Sequence, residues 1–222
     1  YSYIIQKGNE NPFFVDANIK RLYVLTKISS FKNEDLSIID DAYKDIINSL
    51  VKNKSIVPLL SNYAHFQAFY LHDLINSENT LKEAMQIPAI DKYDLAECKM
   101  EYADVLLLQG KIWESMLYNA QVEKDFKEHP LGHEAKLRIA KISYYQGDFQ
   151  WAQAQLETLK ASTSKLIAND AMQLSLLITD NYNLDTAEVA MQLFANADLF
   201  KYQQKFDRAL QTYDSILIIF PG

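Results

Sequence analysis

His129 and His133 stand four residues apart, a spacing that can turn two imidazoles to one helix face and hold a zinc ion. The residues around them work against that chemistry. In KEHPLGHEAK, Pro130 and Gly132 fall between the histidines, so the pair straddles a loop and a helix start, with no cysteine nearby. HEAK is also not the HExxH of zinc proteases. His65 and His72 share a helix face among the aromatics of HFQAFYLH, where histidines read as core or boundary residues satisfied by hydrogen bonds. Carboxylates cluster in DLSIIDDAYKD, but on the polar face with lysine nearby, which reads as a solvated surface rather than a general acid–base pair. Cys98 is the single cysteine and falls inside the helical pattern LAECKMEYADVLL, where a buried small residue is expected rather than a reactive thiol. The glycines of QGD and GHEAK build no phosphate cradle, and no serine sits in a nucleophile elbow. The expectation is therefore a chain with no catalytic residues, no metal and no cofactor.

The elements that carry these residues follow from composition. The chain has 222 residues, 49% of them hydrophobic, enough to bury a continuous core. Glycine and proline number five each, which argues against folds rich in tight turns. A net charge of −7 repels phosphate backbones and makes nucleic acid a poor partner. The longest apolar runs, DVLLLQG and SILIIFPG, are too short to cross a bilayer. The first residue is Tyr1 and no signal peptide is visible; the chain reads as an excised piece whose parent could carry one.

Helical periodicity dominates from end to end. A first full helix follows NENP, with Pro12 suited to its first turn and Phe14, Ala17, Leu22 and Leu25 on its apolar side. A second has Asn33 as a candidate N-cap and one stripe of Leu36, Ile39, Tyr43, Ile46, Ile47 and Leu50. SIVPLLSNYAHFQAFYLHDL, with Pro58 in its first turn, SENTLKEAMQ and the segment around Cys98 supply three more. Further helices are expected over 111–127, 133–146, 149–160, 164–179, 186–202 and 204–219. Pro12, Pro88, Pro130 and Pro221 punctuate the boundaries. No segment alternates polar and apolar residues between hairpin turns, so the class is all-α.

The helices are also written as a repeat. Around Ala152 stand Ala140, Gly147, Phe149, Leu156 and Leu159. The same offsets around Ser115 hold Ala103, Gly110, Ile112 and Val122, and around Ala209 they hold Ala197, Gln204, Phe206, Tyr213 and Ile216. Two antiparallel helices joined by a tight corner approach closely only where small side chains face each other, and a corner glycine can adopt the left-handed conformation that ends the first helix. The pairs Ala140/Ala152, Ala103/Ser115 and Ala197/Ala209 meet that requirement.

This arrangement resembles the tetratricopeptide repeat, a helix–turn–helix unit of about 34 residues. The resemblance is strongest in DTAEVAMQLFANADLFKYQQKFDRALQTYDSILIIFP and GHEAKLRIAKISYYQGDFQWAQAQLETLK, and looser in DLAECKMEYADVLLLQGKIWESMLYNAQVEKDF. The run 91–222 is also similar to a group of bacterial multi-repeat proteins carrying a segment like WAQAQL…KASTSKLIANDA. It implies a right-handed solenoid of stacked antiparallel hairpins over 1–222, with degenerate repeats in 1–90, clearer ones in 91–222, and an additional helix near 163–181. YSYIIQKGNENP at the start resembles YDSILIIFPG at the finish, as though both were second-helix tails within a longer array.

In such arrays the first helices of successive hairpins line a concave groove. The resemblance places Glu97, Met100, Asp104 and Leu108 there in one unit, Leu137, Lys141, Tyr144 and Tyr145 in the next, and Phe194, Asp198, Lys201 and Tyr202 in the last. Asp104, Lys141 and Asp198 occupy the positions where a chaperone-tail clamp needs asparagine, so that ligand is not expected. What is expected is a non-catalytic scaffold that binds a peptide or protein surface, in the bacterial periplasm or envelope rather than the cytoplasm. The competing expectation is a regulatory or substrate-presenting arm of an enzyme whose catalytic domain lies outside these residues. A groove packed on other repeats, or one binding a small hydrophobic molecule, are further alternatives.

Overall fold

The computed structural model describes residues 1–29, 33–162, 164–182 and 187–220. Among them are twelve α-helices, one short 3-10 turn and no strand, so the protein is all-α. The chain divides into two compact units, Tyr1–Val105 and Leu106–Gly222. No helix among the described residues is long and apolar enough to cross a membrane.

The first unit holds α1 (Ser2–Ile5), α2 (Phe14–Ile28), α3 (Asn33–Ser49), a 3-10 turn (Lys54–Ile56), α4 (Val57–Phe69), α5 (Leu74–Met85) and most of α6 (Lys92–Leu108). Pro12 lies ahead of α2 rather than in its first turn. The Asn11 side chain accepts from the Phe13 amide at 2.9 Å, and the turn this makes is completed before the helix begins. The side chain of Asn33 lies outside the described residues. Leu36, Ile39 and Tyr43 are buried at the three-to-four spacing of an apolar helix face. Pro58 sits in the first turn of α4, where its missing N–H costs nothing. The Tyr43 ring stacks on Tyr63 at 5.0 Å and lies 5.3 Å from Phe66. Its hydroxyl donates to Asn62 Oδ1 at 2.5 Å, while the Tyr63 hydroxyl donates to Asp40 at 2.7 Å. Large phenol rings can therefore be buried here because each polar tip has a partner.

α4 ends at Phe69, so His72 is not on a helix face with His65. It stands in the corner before α5, exposed and left-handed at φ 55°. The Asp73 side chain then caps α5 by accepting from the Asn76 amide at 3.1 Å.

The second unit holds α7 (Ile112–Asp125), α8 (Pro130–Tyr145), α9 (Phe149–Leu159), α10 (Lys165–Tyr182), α11 (Ala187–Tyr202) and α12 (Phe206–Ile219). The start expected at 186 and Pro221 lie outside the described residues, and the start expected at 164 adjoins one that does. α8 begins three residues earlier than its pattern suggests, because Pro130 takes the first helical position and the His129 side chain caps the Leu131 amide. α7 packs on α8, α8 on α9, α9 on α10 and α11 on α12, while α8 also touches both α10 and α11.

The corner between α8 and α9 is closed by Gly147, at φ 79°, and by an Asp148 N–H to Ser143 C=O bond of 3.0 Å. Ala140 and Ala152 are fully buried on either side of it, in one packed cluster with Leu137, Tyr144, Phe149 and Leu156. α10 extends that cluster through Ile167, Ala171 and Ile178, and α11 through Met191 and Ala195. Each large apolar side chain so removed from water contributes about 1.5–3 kcal/mol. The end of α6 joins this unit, where Leu107 packs with Ile142 and Leu199 and its carbonyl accepts from Gln203 Nε2 at 2.9 Å.

Candidate functional site

The residues with chemical potential are occupied structurally. His133 Nδ1 lies 2.9 Å from Ser162 Oγ, and His129 is the α8 cap. His65 Nδ1 lies 2.8 Å from Glu101 Oε1, and its ring stacks on Phe69 at 4.5 Å. Burial pulls the His65 pKa down, but the Glu101 hydrogen bond, the Glu101 charge and that of Asp104 outweigh it, leaving the imidazole above its ordinary value. Cys98 is fully buried, and burial pushes its thiol up to about 12, so it is not a thiolate nucleophile at neutral pH. No group of three or more histidine, cysteine or acidic side chains suited to a metal ion occurs among the described residues.

A recess of about 320 Å³ opens in the second unit between α8, α10 and α11. Lys141, Tyr144 and Tyr145 reach it from α8 at i, i+3 and i+4, one face of that helix. Asp170, Gln173, Leu174 and Leu177 reach it from α10 at the same kind of spacing, and Asp198 reaches it from α11. Asp198 is fixed by two phenols: Tyr144 donates to Oδ2 at 2.9 Å and Tyr213 to Oδ1 at 2.6 Å. Burial first, and then the Asp198 carboxylate, raise the pKa of both hydroxyls, so they remain protonated donors. Lys141 Nζ stands 3.8 Å from Asp170 Oδ2, with both side chains partly exposed. The Tyr145 ring lies 5.6 Å from Tyr144 and 6.2 Å from Tyr202. The described lining offers an ammonium, two carboxylates, a carboxamide and two tyrosines as charge and hydrogen-bond partners, beside two leucines.

The twelve residues expected in a groove are distributed unevenly. Lys141, Tyr144, Tyr145 and Asp198 come together in this recess, with Tyr202 beside Tyr145. Phe194 lines a smaller apolar recess of about 170 Å³ with Leu177, Met191 and Ile216, and Lys201 is exposed. Leu137 is a core residue rather than a groove residue, because it is buried in the cluster that α8 shares with α9, α10 and α11. Tyr144 is likewise buried, with its hydroxyl donating to Asp198. Met100 and Leu108 are also buried, Asp104 is half-buried and Glu97 is exposed. The sequence reading misses Asp170, Gln173, Leu174 and Leu177, since α10 lies outside the hairpin pattern. Their i, i+3, i+4, i+7 spacing beside the buried stripe of Ile167, Ala171 and Ile178 is the signal that locates them.

No family model matches the chain, and no curated protein or solved structure matches it.

Proposed function

We propose that the chain is a tetratricopeptide-like array of stacked hairpins, a right-handed solenoid, that binds an extended peptide or a protein surface without catalysis. The observation that carries this reading is the recess between α8, α10 and α11, where two tyrosines, two carboxylates, an amine, a carboxamide and two leucines converge on about 320 Å³. Its size and mixed lining suit a side chain or short segment of a partner. The repeat reading is supported by small buried residues flanking left-handed corners at Gly147 and Gln204, and by α8 touching α11 although α10 intervenes in sequence.

Peptide display against the folded chain tests the proposal. Gln173 is exposed and lines the recess, so Gln173→Trp fills the space without removing a packed side chain. The expected result is a peptide family enriched on the parent chain and lost on Gln173→Trp, with circular dichroism and melting unchanged. No enrichment, or equal enrichment on both, overturns it.

A further inference from the structure

We propose that the recess selects an arginine side chain presented by a peptide, an inference that rests on the peptide-binding reading and names what that site takes. The recess carries two carboxylates, Asp170 and Asp198, against the single ammonium of Lys141. Lys141 is already engaged with Asp170, at the long distance of 3.8 Å and in a partly exposed pair of the kind that contributes little and is readily displaced. Asp198 has no cationic partner among the described residues. The two phenols that donate to it hold its position and leave its negative charge in place. Each of its oxygens retains a lone pair for another donor.

The rest of the lining fits the same ligand. Leu174 and Leu177 offer an apolar wall to an aliphatic stem, and Tyr145 adds an aromatic ring to the lining, a group type to which cations are attracted. A planar guanidinium can fork to carboxylates and stack on a ring together, which a lysine ammonium does not. An anion entering here would meet two carboxylates against a single ammonium.

The test uses fluorescence anisotropy with labelled hexapeptides identical except for one central residue: arginine, citrulline, lysine, glutamate or tyrosine. Citrulline keeps the shape of arginine and removes its charge. The arginine peptide is expected to bind about tenfold or more tightly than the citrulline peptide, and Asp170→Asn to weaken it about tenfold. Lys141→Ala removes the competing cation and is expected to tighten binding several-fold. Asp207→Asn, an exposed carboxylate outside the recess, makes the same change in net charge and is expected to leave binding unaltered.

Equal binding of arginine and citrulline, weaker binding by Lys141→Ala, or an equal effect of Asp207→Asn and Asp170→Asn overturns the proposal. If the glutamate or tyrosine peptide binds best and Gln173→Trp abolishes that binding, peptide recognition stands and the arginine preference falls. If no peptide binds, both fall.

Discussion

The α4–α5 and α8–α9 hairpins close in related ways with different materials. At α8–α9 a glycine is left-handed, the following Asp148 caps the Trp151 amide at 3.2 Å, and the chain is pinned by the bond from Asp148 back to Ser143. At α4–α5 a histidine is left-handed, Asp73 caps in the same way, and its amide reaches one residue further back, to the Gln67 carbonyl at 2.8 Å. One extra residue is thus accommodated in the first corner. The crossing changes with it: Ala140 and Ala152 are fully buried in the second hairpin, whereas Ala64 and Ser77 are fully buried in the first. There the Ser77 hydroxyl donates to the Ala64 carbonyl at 2.7 Å, and Thr80 donates to Gln67 at 2.9 Å. Close approach needs small side chains in both, but one hairpin is sealed by methyl packing and the other by a hydroxyl.

The largest expected effect separates these two seals. Ala152→Trp forces a large ring into a site with no exposed surface and should destabilise the second unit by about 1–3 kcal/mol or more. Ser77→Ala keeps the small volume and loses one buried hydrogen bond, at a cost of about 1 kcal/mol. Urea denaturation with hydrogen exchange read in each hairpin compares them. A Ser77→Ala loss as large as that of Ala152→Trp would mean that both crossings depend on polar bonding.

The next contrast asks when a corner needs glycine. Gly147 and Gly110 are both left-handed, at φ 79° and 82°. A Cβ at Gly147 would fall 1.5 Å from Gln192 Oε1, whereas a Cβ at Gly110 meets nothing within 4 Å. Alanine at either position carries the left-handed penalty of about 1–2 kcal/mol. Gly147→Ala must also displace the Gln192 amide, so its loss of stability should exceed that of Gly110→Ala. Equal losses would show that Gln192 swings away freely.

These contrasts also explain what the sequence discloses. Gly110, Gly147 and the small residues offset from them mark the later hairpins, because a left-handed corner favours glycine and a close crossing admits only small side chains. His72 carries no such mark, and the extra corner residue shifts Ala64 and Ser77 off the common spacing, so the same device in the first unit is hidden. The recess divides likewise. Lys141, Tyr145 and Asp198 are legible from their place on first helices, while Leu137 is lost to the core that α8 shares with α9, α10 and α11. α10, a helix outside the pattern, supplies half of the recess, which a pattern of paired helices cannot reveal.

A smaller effect distinguishes the first unit by pH. His65 has its folded pKa raised above the ordinary 6.5, with the Glu101 bond and the Glu101 and Asp104 charges overcoming burial and the opposing charge of Lys27. A raised folded pKa stabilises fully below the unfolded value and is lost as pH climbs through the folded one. The first unit should therefore weaken as pH rises from below 6.5 through the folded pKa, and His65→Gln should flatten that profile. An unchanged profile in the variant would assign the pH dependence to other groups.

The smallest expected effect has the opposite sign. His72 is exposed at φ 55°, and its side chain is not packed into the corner it closes. Histidine tolerates the left-handed region better than most residues, yet still strains there by up to about 1–2 kcal/mol, whereas glycine does not. Glycine also loosens the unfolded chain, an opposing term of about 0.4–1 kcal/mol. His72→Gly should consequently stabilise the α4–α5 hairpin by a few tenths of a kcal/mol to about 1 kcal/mol. It would give that hairpin the residue type found at Gly147 while leaving the Asp73 cap and the Ser77 bond in place. Urea midpoints at equal slope measure the gain. A loss instead would mean that the histidine side chain itself holds the corner, and the two corners would then differ in mechanism as well as in length.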